Sequence, residues 1–176
     1  MKRHVLLIAL AAAPLLAQDF TNVLAQHWKT SGEFTVAVAK TMPAELYNTR
    51  PNPAEMSFGM LMAHIGAANV GACATASGLP RPEMPAGILK AVRNPKENEP
   101  DVPKDEALPF LQSSFDFCNK AVAAMTPEKL SATVGGTRKM TGFEWLWSYF
   151  THTAHHRGQA EVYMRLKGIK PPDYAF

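Results

Sequence analysis

The stretch from Thr141 to Lys167 fixes most of what this chain can become. It opens on Thr141-Gly-Phe-Glu144, the spacing of a capping box, in which a threonine and a glutamate satisfy each other's backbone donors. It closes on Arg165 and Lys167, cations suited to a helix C-terminus, then Gly168 and Pro171-Pro172, which stop the helix. Between these signals Trp145, Tyr149, His152, His156, Gln159 and Tyr163 line one face. A helix of this length holds its shape by packing, so it calls for partner helices.

Three more helical segments supply them. The first runs from about Asp19 to Thr41, with Phe20, Val23, Leu24, His27, Trp28, Phe34 and Val38 as its stripe; Gly32 interrupts it and Pro43 follows it. The second starts near Ser57, a good N-cap, and ends by Ser77, before Gly78 and Pro80. The third runs from about Lys104 to Met125, with Leu108, Leu111, Phe115, Cys118 and Val122 on one face. Pro109 belongs in its first turns or at a kink. A short helical turn is expected after Thr126-Pro127, and a tight turn at Gly135-Gly136. Residues 79–103 hold six of the fourteen prolines, so they read as a long crossover with one helical turn around 87–92. No stretch alternates as a strand. The expected fold class is all-α: four antiparallel helices with one long crossover connection.

Residues 1–17 read as a secretory signal peptide. Met1-Lys2-Arg3-His4 is a basic start, Val5 to Ala13 an apolar run, and Ala17 the expected cleavage point. The apolar run is too short for a mature spanning helix. The domain is then residues 18–176, in the periplasm or outside the cell and off the membrane once the leader is removed. Without Lys2 and Arg3 the formal charge falls from +3 to +1, which gives no support for nucleic-acid binding. Cys73 and Cys118 lie in separate predicted helices; they can pair in an oxidising compartment, or sit buried as free thiols.

His152 and His156 are one turn apart on the same face of the last helix. His64 stands alone on the apolar face of the second helix. Three imidazoles from two helices can bind a borderline divalent ion and leave positions open. The alternative is a set of hydrogen-bonded core histidines. Thr153 follows His152, so the H-E-x-x-H protease pattern is absent. His155 points about 100° from His156, which makes it a neighbour of the site or a surface residue. Gln159 can orient a bound ligand, or can belong to a polar bundle end with Arg157. Tyr149 is a polar neighbour, and His27 fits either an aromatic stripe or the site.

Three phrases then act together: Met56-Ser57-Phe58-Gly59 with His64-Ile65, His152-x-x-x-His156-Arg157-Gly158-Gln159, and Gly168-x-x-Pro171-Pro172-x-Tyr174. In order and spacing the chain resembles the DinB-like (YfiT-like) metalloenzyme family. The resemblance implies an up-down-down-up four-helix bundle, frequent homodimers, and a metal site on His64, His152 and His156. It implies zinc or nickel as the ion; Tyr149, His155 and Gln159 are the neighbours expected from their helix positions. Some relatives are transferases or isomerases that use mycothiol or bacillithiol. An export signal departs from that picture, since such thiols are cytosolic. A Cys73–Cys118 bridge would suit an exported variant and tie the second helix to the third.

Two functions follow as expectations. One is a metal-dependent hydrolase or transferase acting on an unidentified small molecule. The other is a non-catalytic, exported, metal-binding or stress-associated bundle. No general base stands out: Glu144, two turns before His152, lies slightly off the ligand face. No C-x-x-C-H motif marks covalent haem.

Overall fold

The computed structural model describes residues 12–93 and 101–175. Most of the expected signal peptide, residues 1–11, lies outside the described residues. Residues 12–17 open the first helix.

Six helices follow in order: α1 Ala12–Thr41, α2 Phe58–Ser77, α3 Ala86–Arg93, α4 Lys104–Ala123, α5 Pro127–Ser131 and α6 Gly142–Leu166. The four long ones make the bundle, and α2 and α6 carry the expected caps. Ser57 accepts a hydrogen bond from the Met60 N–H at the start of α2, and Gly78, at φ 74°, ends it in the left-handed region. Thr141 and Glu144 close both halves of the capping box on α6. Pro109 sits inside α4, in its second turn.

Named contacts give the helix directions. Gly66 of α2 faces Phe110 and Ser114 of α4, and Cys73 is bridged to Cys118, so α2 and α4 run parallel. The Tyr163 hydroxyl donates to the Met56 carbonyl at 3.1 Å, and Thr153 donates to Asn69 at 3.1 Å, so α2 and α6 are antiparallel. Lys104 reaches the carbonyls of Lys40 and Met42, while Gly32 lies beside Phe115; α1 and α4 are therefore antiparallel. Phe20 meets Phe143 and Trp28 meets Phe150, so α1 and α6 run together. The topology is up-down-down-up, and the parallel α2/α4 pair is what requires the long crossover.

Gly32 does not interrupt α1. A β-carbon there would lie 2.8 Å from the Phe115 ring, so the missing side chain is what lets α4 approach. Trp28, Phe58, Leu61, Ile65, Leu111, Phe115 and Leu146 fill the centre. Helix α2 is long and apolar enough to cross a membrane by length and composition. Most of it is buried against α4 and α6, however, which is the character of a core helix.

One small ribbon was not anticipated. Thr133–Val134 (β1) pairs antiparallel with Met140–Thr141 (β2). Two residues per strand are too few to show alternation in sequence. The ribbon holds the start of α6, because Trp145 Nε1 donates to the Val134 carbonyl at 3.2 Å.

Candidate metal centre

The antiparallel seam between α2 and α6 brings His64 to the one-turn pair His152 and His156. His64 Nε2 lies 3.2 Å from His152 Nε2, and His156 Nε2 lies 3.1 Å from the same atom. The ring centroids of His64 and His156 are 4.8 Å apart. Their donor atoms all fall within 4.8 Å of one another. Ligands on one tetrahedral ion with ~2.0–2.1 Å bonds stand about 3.3 Å apart, so the spacing fits a shared divalent cation.

The electrostatics agree with the spacing. Burial lowers the pKa of His152 to about 4, and its three histidine neighbours add to the effect. Burial also lowers His64 and His156. All three imidazoles are therefore neutral at pH 7, the form that has a lone pair for a metal. No carboxylate contributes to any of these shifts, so the cluster itself is uncharged and would leave a bound ion its full positive charge.

Several neighbours frame the cluster. His156 Nδ1 lies 2.7 Å from Gln159 Oε1, and Gln159 Nε2 lies 3.3 Å from His155 Nε2. His155 is exposed and its ring is 4.8 Å from that of His156. Tyr149 packs its ring 5.4 Å from His152 and stacks on Trp145. His152 Nδ1 is buried with no hydrogen-bond partner among the described residues. His27 lies outside the cluster, edge-on to Phe150 of α6.

Glu144 follows its sequence reading, and Arg157 departs from it. Glu144 is no base for this site: its carboxylate caps α6, accepting from Thr141 N at 2.7 Å and Thr141 Oγ1 at 2.8 Å. Arg157 is no polar bundle end. It is 4% exposed and donates to Ser31 Oγ at 3.1 Å and Thr35 Oγ1 at 3.3 Å. Its guanidinium lies 4.5 Å over the Phe34 ring. Ser31 and Thr35 form a polar i, i+4 pair within the apolar stripe of α1, and that pair is the sequence signal for a buried polar partner.

Two cavities lie on the bundle. A cavity of about 630 Å³ beside the crossover is lined by α4 residues with Glu83, Pro85 and Gly87, and by none of the three histidines. A smaller cavity of about 220 Å³ is lined by Pro51, Asn52, Glu55, Gln159 and Tyr163, and also by none of the three histidines. Residues of the α1–α2 linker wall the cavity that reaches Gln159. Helix α3 docks on α2 and α4, whereas the histidines lie between α2 and α6.

The DinB superfamily matches residues 27–160, a span that contains all three histidines. The chain belongs to the DinB superfamily. Solved structures of DinB-like proteins share the fold. One from Bacillus subtilis has 22% identity and a TM-score of 0.64, covering 86% of this chain and 97% of its own. One from Bacillus cereus has 20% identity and a TM-score of 0.67, covering 86% and 95%. A conserved protein from Enterococcus faecalis has 20% identity and a TM-score of 0.62, covering 83% and 95%. None of the curated proteins matches. The bundle is thus the superfamily's, and its three-histidine group can hold a metal ion.

Proposed function

We propose that this DinB superfamily member binds one zinc or nickel ion through His64, His152 and His156. In this reading the ion serves hydrolysis or group transfer on a small molecule. The observation that carries the reading is the convergence of three neutral Nε2 donors at 3.1–3.2 Å from two helices. An ion bound there supplies Lewis acidity at the positions that three protein ligands leave open. Tyr149 packs against His152, and Gln159 links His156 to a cavity lined by Pro51 and Asn52, the place this reading gives to a small molecule.

The proposal includes export, with residues 1–17 as a cleaved leader and the mature protein in the periplasm or beyond. Its support is the basic start, the apolar run and Ala17; a Cys73–Cys118 bridge suits an oxidising compartment. It also includes a homodimer. Phe20, Val23 and Trp147 are about half exposed, and Phe143 joins Phe20 to Trp147 by ring contacts of 5.2 and 6.0 Å. A contiguous apolar patch of this kind favours a partner surface.

A second reading is a non-catalytic metal-binding bundle of the cell envelope. The engagement of Glu144 in a helix cap favours it, since no carboxylate is then left as a base on that helix face.

Elemental analysis of the mature protein beside His64→Ala and His152→Ala tests the common core of both readings. About one equivalent of transition metal in the parent, lost from both variants, is the expected result. No metal in the parent after incubation with zinc or nickel would leave a bundle with buried histidines. Turnover by the loaded protein, abolished in His156→Ala, separates the enzyme from the binding module.

A further inference from the structure

A neutral imidazole has one N–H and one lone pair, and either nitrogen can carry the proton. A neutral histidine that binds metal through Nε2 keeps its proton on Nδ1, and that proton almost always has an acceptor. The three histidines differ on this point. His156 Nδ1 has an acceptor 2.7 Å away, the Gln159 carbonyl. His152 Nδ1 is buried and has none among the described residues.

We propose that Gln159 is the positioning residue that commits His156 to the metal. The inference rests on the metal-binding reading above. The amide lies between two imidazoles. Its carbonyl faces His156 Nδ1, and its NH2 faces His155 Nε2 at 3.3 Å. Turned over, the amide would point N–H at Nδ1, which would then have to offer its lone pair. The His156 proton would move to Nε2 and point at His152, 3.1 Å away, where a metal ligand has to present a lone pair. Gln159, with its carbonyl on Nδ1, thus selects the His156 tautomer. All three residues lie on one stretch of α6, so the arrangement is in place before any ion arrives and does not depend on how α2 packs.

Two measurements test it. Nitrogen-15 NMR of the metal-free protein, with His156 assigned through His156→Ala, is expected to show the Nδ1–H tautomer in the parent and a mixture in Gln159→Leu. Competition titration with zinc is expected to show about 10- to 100-fold weaker binding in Gln159→Leu at unchanged stoichiometry, and near-parental binding in Gln159→Glu, whose carboxylate still accepts. Gln159 is only partly buried, and matched melting temperatures of the metal-free variants check that the leucine leaves the fold intact. An Nε2–H tautomer in the parent overturns the proposal. So does parental zinc affinity in Gln159→Leu, and in that case the metal reading stands. A parent that binds neither zinc nor nickel overturns the metal reading and this proposal with it.

Discussion

His64 and His152 bring their Nε2 atoms to 3.2 Å from opposite sides of the α2/α6 seam. Neither helix can build the site alone, so an ion bound there ties the two together in the folded state only. Zinc at ~100 times its dissociation constant should then add about 2.7 kcal/mol of stability, or roughly 5–10 °C in melting temperature for a domain of this size. Differential scanning fluorimetry should show that rise in the parent and lose it in His64→Ala. An equal rise in both would place zinc elsewhere.

The metal-free protein should weaken in acid for a definable reason. The folded pKa of His152 is about 4 and those of His64 and His156 are also lowered, whereas unfolded histidines titrate near ~6.5. Between those values the unfolded chain binds more protons than the folded one, so stability falls as pH drops. Chemical denaturation of the apoprotein should show a steady loss from about pH 6.5 toward pH 4. His152→Leu should flatten that slope; a variant with the parental slope would contradict the assignment.

Cys73–Cys118 closes a loop with a sequence separation of 45 residues that contains the whole crossover. Its removal in a Cys73→Ser/Cys118→Ser variant should lower stability by about 2–4 kcal/mol. Metal stoichiometry should not change, because the bridge joins α2 to α4 and the histidines lie between α2 and α6. Equilibrium denaturation beside metal analysis checks both halves.

Trp147 is half exposed, beside the rings of Phe143 and Phe150. If this aromatic patch seats a second copy, Trp147→Glu should be monomeric at concentrations where the parent is dimeric. Sedimentation velocity reads the difference directly. A parent that is monomeric throughout would remove the dimer from the reading.

Much of this was legible in the sequence, for local reasons. Ser57, Gly78, Thr141 with Glu144 and Gly168 mark helix ends by chemistry that needs no tertiary partner. The histidines were legible because one turn separates His152 from His156 and because His64 interrupts an apolar face. Arg157 was not, since its burial depends on Ser31 and Thr35, more than a hundred residues away. The position of the crossover was hidden for a similar reason: which groove a long connection covers is decided by packing between helices, and that leaves no periodic trace.

Helix α1 donates no ligand, yet it controls the aim of two of them. Arg157 follows His156 directly and is anchored to Ser31 and Thr35, so α6 is not free to roll about its axis. A roll of ~10° carries a side-chain atom about 5–6 Å from that axis through roughly 1 Å, while metal bonds tolerate only about 0.2 Å. Repacking of α1 around Ser31 is therefore a way to retune ion affinity from a helix that never touches the ion.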